Sequence, residues 1–359
     1  MGDSKPLRRG AVRPGVFLGL ALALASAFAW AHPAGSQAAE RHLVKFATLA
    51  PEGSTWMQVM REFARAVREK TGDRVRFRIY PGGVQGDEKD VVRKIRIGQL
   101  HSAGFTGVGL GEILPEVRVL ELPFLFLREE EVDAVHRRID PRLARNFEGK
   151  GFVLLGWAEV GLVHLFSNQA IRDREGLKKA KLWAWEGDPL AKAYFEALGL
   201  TPVSLSVTDV LTSLQTGLID TVYASPLGAI ALQWFTKVKY MTRLPVSNAT
   251  GAVLVAKRVF DRLTPEDRAV LRTEGKRHFD RLIRLSREEN RKAVAQIQKE
   301  GVELLPMPSP EQLREFQEVG RSTWNRLSGK LFPPDLLAEA LSALAERRKN
   351  RPPAGPGSP

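Results

Sequence analysis

Residues Gly176 to Asp220 read GLKKAKLWAWEGDPLAKAYFEALGLTPVSLSVTDVLTSLQTGLID, and this stretch decides the fold. An apolar run ending in Trp183 and Trp185 leads into a helical pattern, a short strand, a second helical pattern closed by Gly217, and another strand. Alternation of this kind builds open α/β sheets, whose strands present their carboxyl ends to a ligand crevice. Two positions apart on one strand, the indoles share a face and leave Ala184 on the other. The segment reads as half of a binding cleft, with aromatic rings where a ligand would lie. Tyr223, Ser225 and Pro226, just past the last strand, are expected to line its other side.

The same logic extends upstream. A strand over Leu43–Thr48 precedes a helix that starts near Ser54 or Thr55 and carries the stripe Trp56, Met60, Phe63 and Val67. That spacing assigns Trp56 to the core. Val75–Tyr80 alternates apolar residues with arginine, the period of a strand. A helix over Glu88–Ile97 stops at Gly98 and turns into an apolar segment, Leu100–Thr106. The run IRIGQLHSA (95–103) echoes LQTGLIDTV (214–222): helix, glycine stop, strand. Two such units facing one crevice imply two lobes, with the chain crossing near Trp157–Gly161 and back near Thr250–Val255. Thr264-Pro265-Glu266-Asp267 is a helix start with threonine as cap and proline in the first turn. The helix runs to about Glu300, interrupted mildly at Gly275, and is long enough to brace both lobes. Whether Trp234 and Phe235 face cleft or core stays open at this level.

The 359 residues, 43% hydrophobic and 26% charged, suit two globular units with sizeable cores. Arg8, Arg9 and Arg13, the apolar run Val16–Trp30 and the small-x-small site Ala29-Trp30-Ala31 read as a signal peptide over residues 1–31. With no cysteine, the chain has no lipid-anchored Cys, disulfide or thiolate metal site. The expected location is the periplasm, without an anchor. The net charge of +13 is spread along mixed-sign helices and accompanied by no nucleic-acid motif, so it reads as a solvated basic surface. Residues 345–359, ending PPAGPGSP, offer nothing with which to build a core and read as a disordered tail.

Catalytic readings find little support. The six histidines make no HExxH or i, i+4 pair, and no G-x-S-x-G elbow occurs. GFTGVGLG (104–111) lacks Gly-Lys-Ser/Thr and the dinucleotide spacing. It reads as a loop whose backbone approaches a ligand, with Phe105 beside it. Asp87 and Glu88 form an acidic pair at a helix start, where the macrodipole favours them.

Segments quoted above, together with VLELPFLF (119–126), SNQAI (167–171) and ALGLTPVSLSVTDV (197–210), follow one another in the order and spacing of the DctP-type solute receptors of TRAP transporters, which the chain resembles after about residue 42. The resemblance implies an α/β, two-lobed periplasmic-binding-protein-like fold with mixed sheets flanked by helices, hinge strands and a long bracing helix. Lobe I is expected over 41–160 plus 252–290, and lobe II over 161–251 plus 291–340. It implies no enzymatic activity and no cofactor. The expected partners are a small-molecule ligand, the small and large membrane permease subunits and, for one subgroup, a periplasmic TPR-repeat protein. Members that bind organic acids carry a carboxylate-binding arginine where this chain has Trp183, and a second aligns with Val163. Other ligand positions align with Leu49, Thr106 and Val207, while the metal-binding members' Gln and Glu-Trp give way to Thr221–Ser225, which argues against a metal. Without its two guanidinium forks the cleft loses its means of recognising a carboxylate. The expected ligand-binding set is Leu49, Phe105, Thr106, Val163, Trp183, Trp185, Val207, Tyr223 and Ser225, and the expected ligand is hydrophobic or amphipathic. The alternatives are an organic acid held by a non-standard cation, a sensor or adaptor for a membrane signalling protein, and an enzyme on the same scaffold.

Overall fold

A computed structural model describes residues 41–350. The expected signal peptide, and the tail from residue 351, lie outside the described residues. In chain order the first half comprises β1 (His42–Thr48), α1 (Thr55–Lys70), β2 (Val75–Tyr80), α2 (Glu88–Arg96), β3 (Ser102–Thr106), α3 (Gly107–Ile113), a 3-10 turn (Pro115–Glu121), α4 (Glu129–Gly149) and β4 (Phe152–Ser167). There follow α5 (Arg174–Lys178), β5 (Trp183–Trp185), α6 (Pro189–Leu198), β6 (Val203–Leu205), α7 (Val210–Thr216), β7 (Thr221–Ala224), α8 (Pro226–Ala231) and β8 (Tyr240–Thr242). The chain closes with β9 (Ser247–Ala256), α9 (Lys257–Phe260), α10 (Pro265–Lys299), β10 (Glu303–Leu305), α11 (Pro310–Leu327) and α12 (Pro334–Lys349).

One mixed sheet runs β10-β8-β4-β9-β3-β1-β2, with β7 also on β4, and β5 pairs β6 separately. β2, β1 and β3 are parallel, whereas β3-β9-β4 is antiparallel. Strand β4 is long enough to pair with β9 from Phe152 to Val163 and with β7 and β8 at its end. Register shifts fall between Leu154 and Gly156 and between Glu159 and Gly161, where a bulge lets a strand bend. Strand periodicity sorts the side chains of β9: Val253 and Val255 enter one core, Ala252, Leu254 and Ala256 the other.

Helix α10 contributes Leu271, Phe279 and Leu282 to the core beside β1, and Ile297 to the core beside β7. It is not interrupted at Gly275. The glycine is there for proximity, since a Cβ at that position would stand 2.3 Å from the Leu155 carbonyl oxygen of β4. One further expectation is corrected. Residues 345–349 are helical, not disordered: they end α12, where Arg348 holds Glu131 at 2.8 Å. Leu336, Leu337 and Ala340 of α12 are buried, and the helix packs on α4. Among the described residues no helix is long and apolar enough to cross a membrane.

Candidate functional site

Three helix starts fix the cleft's edges. Ser54 caps α1, Thr106 caps α3 and Ser225 caps α8, each with its side-chain oxygen on a backbone N–H of the first turn. The strands that end at these caps, β1, β3 and β7, open with β5 and the middle of β4 onto a cavity of about 870 Å³. All nine expected ligand positions, Leu49, Phe105, Thr106, Val163, Trp183, Trp185, Val207, Tyr223 and Ser225, border it. Their side chains differ in how much they can offer a solute. Phe105 and Trp183 are 1% exposed and belong mainly to the wall, whereas Leu49, Trp185 and Tyr223 are only partly buried.

The aromatic wall is a packed unit. Trp183 stacks on Tyr223 with ring centroids 4.7 Å apart and meets Trp234 edge-on at 5.2 Å. Its Nε1 donates to the Leu205 carbonyl at 3.0 Å. Trp185 lies 6.0 Å from Trp183, and its backbone N–H donates to the Tyr223 hydroxyl at 3.1 Å. Trp234, undecided by pattern, is thus a buried wall residue. Trp56 departs from its expected core position: it is half-buried, packs over Gly104 and Gly251, and borders the cavity. It sits at the edge of the α1 stripe, where Met57 and Val59 take the buried places.

The glycine-rich stretch 104–111 is not a loop. It is the end of β3 followed by α3, and its glycines make room for buried carboxylates. A Cβ on Gly107 would meet the Glu121 carboxyl at 2.1 Å, and one on Gly109 the Glu88 side chain at 2.6 Å. Glu88 accepts from Thr106 N at 2.7 Å, Thr106 Oγ1 at 2.8 Å and Gly109 N at 2.7 Å. Burial outweighs these donors and pushes its carboxyl up to about 7. Between the ordinary value of 4.5 and that one, the folded protein keeps a proton the unfolded chain has lost. The stability this group contributes is therefore full at low pH and is lost as pH rises through 7. Glu88→Gln should remove its share of that slope, a difference of about 3 kcal/mol between pH 5 and pH 8 by urea denaturation.

Pattern reading missed three buried charged residues of the cavity wall: Arg118, Glu121 and Asp188. The Arg118 guanidinium donates from Nη2 to Asp188 Oδ2 at 2.9 Å, and its Nε lies 3.1 Å from Glu121 Oε2 without the alignment of a hydrogen bond. All three are at most 7% exposed. Two carboxylates raise the Arg118 guanidinium, and burial raises Glu121 to about 7 despite the arginine. A charged pair three residues apart in VRVLELPFLF was the one available signal. Among the described residues no three His, Cys, Asp or Glu side chains come together as metal ligands.

Residues 46–330 match the model of the DctP family, bacterial extracellular solute-binding protein, family 7. A solute-binding protein of Verminephrobacter eiseniae is 29% identical over 248 residues, 68% of this chain and 73% of that one. The sugar acid binding protein of Advenella mimigardefordensis, solved with galactonate, superposes with a TM-score of 0.80 at 18% identity, covering 86% of this chain and 99% of that one. A TRAP periplasmic solute binding protein of Ralstonia eutropha with bound (S)-2-acetolactate gives 0.79 at 23% identity, covering 85% and 99%. These likenesses carry the two-lobed receptor fold. The chain belongs to family 7 of the bacterial extracellular solute-binding proteins, the DctP family of TRAP solute receptors.

Proposed function

We propose that this receptor captures a hydrophobic or amphipathic small molecule between its lobes and, as the periplasmic component of a TRAP transporter, hands it to the small and large permease subunits, with a TPR-repeat protein as an accessory partner. Export would use the apolar N-terminal segment. The lobes would close about β4 and β9, whose second register shift, between Glu159 and Gly161, lies just past the last β3–β9 pair, Thr106 with Gly251. One observation carries the choice of ligand. The cation buried in the cavity wall, Arg118, is already held by Asp188 and Glu121, while Trp183, Tyr223 and Trp234 form an apolar wall. A carboxylate entering this cleft would find that guanidinium already engaged by two carboxylates, whereas an apolar body gains about 0.8 kcal/mol per buried CH₂.

The acid reading keeps one observation of its own. Arg172 borders the cavity, is exposed, and has no ion pair or hydrogen bond among the described residues. The relatives solved with galactonate and acetolactate make that rival worth testing. Calorimetry with galactonate, acetolactate and a medium-chain fatty alcohol separates the readings, alongside native mass spectrometry of the secreted protein. The proposal expects negligible heat from the first two, measurable binding of the third, and a co-purified apolar molecule. Tight binding of either small acid, abolished by Arg172→Ala, would overturn it.

A further inference from the structure

Two carboxylates outside the expected ligand set each do two things at once. Asp87, the N-cap of α2, accepts from Glu88 N at 2.5 Å on its own side. From the far side of the cleft it accepts Trp185 Nε1 at 3.0 Å, Ser206 Oγ at 2.7 Å and Val207 N at 3.2 Å. Asp188, the N-cap of α6, accepts at Oδ1 from Leu190 N at 2.9 Å and Ala191 N at 3.3 Å, and at Oδ2 from Arg118 Nη2 at 2.9 Å. The turn from Trp185 to Asp188 is thus tied at one end to the start of α2 and at the other to the 3-10 turn Pro115–Glu121. Lys89 of α2 lies over its centre, where a Cβ on Gly187 would come within 2.7 Å of Nζ.

We propose that Asp87 and Asp188 are positioning residues for capture: they latch the Trp185–Asp188 turn across the closed cleft, so the chain itself supplies the charge that bridges the lobes. The cap bonds persist whether the cleft is open or shut, and hold each carboxylate in one rotamer. The cross-cleft bonds exist only when it is shut. An uncharged solute offers no group to join the two sides, and hydrogen bonds to an ionised acceptor are the strong ones available to replace it. Trp185 is oriented by the same carboxylate, which couples the ligand-facing indole to closure. This inference rests on reading the cavity as the capture site.

Serine keeps the helix cap at either position but is too short to cross the cleft. The test uses full-length mature protein, stripped of solute by unfolding and refolding, with N-phenyl-1-naphthylamine as an apolar fluorescent probe. Asp87→Ser with Asp188→Ser should enlarge the radius of gyration of the solute-free protein in small-angle scattering at unchanged helix content. Probe release should accelerate about tenfold or more. Trp185→Phe, which retains a ring but lacks the N–H, should accelerate release by a smaller factor and add nothing to Asp87→Ser. Wild-type dimensions and release rate in the double variant would overturn the latch, as would independent effects of Trp185→Phe and Asp87→Ser. If the double variant does not fold, the Trp185→Phe and Asp87→Ser pair decides by the same criterion of non-additivity. Failure of the probe to bind the wild type would defeat the apolar-solute reading instead, and the scattering comparison would still judge the latch.

Discussion

Trp183→Arg is expected to cost this receptor about 4 kcal/mol of stability, so the protein should lose its fold margin along with its ligand. The indole is 1% exposed, stacked on Tyr223, edge-on to Trp234 and hydrogen-bonded to Leu205. An arginine there loses all of these contacts and brings a charge into a wall with no carboxylate bonded at that point. Trp183→Phe keeps a ring against Tyr223 and forfeits only the bond to Leu205 and part of the area, so about half the loss is expected. Urea denaturation of the three proteins checks the order. A Trp183→Arg variant within 1 kcal/mol of wild type, on the scale of an ordinary surface change, would mean the wall can open to let the guanidinium reach the cavity.

Gly275→Ala should destabilise by about 3 kcal/mol, a large effect for one methyl group. The new Cβ would meet the Leu155 carbonyl carbon at 3.1 Å as well as its oxygen, and a backbone cannot swing aside as a side chain can. Helix α10 would have to lift from β4. Gly149→Ala is the matched control: it ends α4, with nothing within 4 Å of the added atom. There the same change should stabilise slightly, because glycine is a poor helix former. Thermal melts of both variants test the contrast, and equal shifts of the same sign would refute it.

The elements most readable from sequence were those set by local chemistry. The cap at Ser54, the alternation in Val75–Tyr80, the glycine stops at Gly98 and Gly217 with φ of 84° and 71°, and the start of α10 at Thr264 all depend on neighbours in the chain. The nine expected ligand positions came from alignment with a known receptor pattern and not from local chemistry; they border one cavity, and their contact with a solute belongs to the proposal. What escaped reading was tertiary. Glycines 104–111 suggested a loop because nothing local reveals that Glu88 and Glu121 fold back onto them. Arg118 was passed over because its hydrogen-bonded partner Asp188 stands 70 residues further on. Trp56 fitted the helix period, but period alone does not say which end of a stripe looks into a cleft.

The long spans of β4, β9 and α10 also bear on how the chain can be assembled. Strand β3 lies between β1 and β9, and Ser102 Oγ donates to a Leu254 carbonyl 152 residues away. Helix α10, roughly 52 Å from end to end at 1.5 Å per residue, then seals the cores of both halves. A chain growing from its N-terminus therefore cannot finish the first lobe before the second has been made. Contacts this distant close slowly, leaving β3 with a bare edge until β9 arrives. Folding is accordingly a late event of the whole chain, and neither lobe is a unit that could be completed, or lost, on its own.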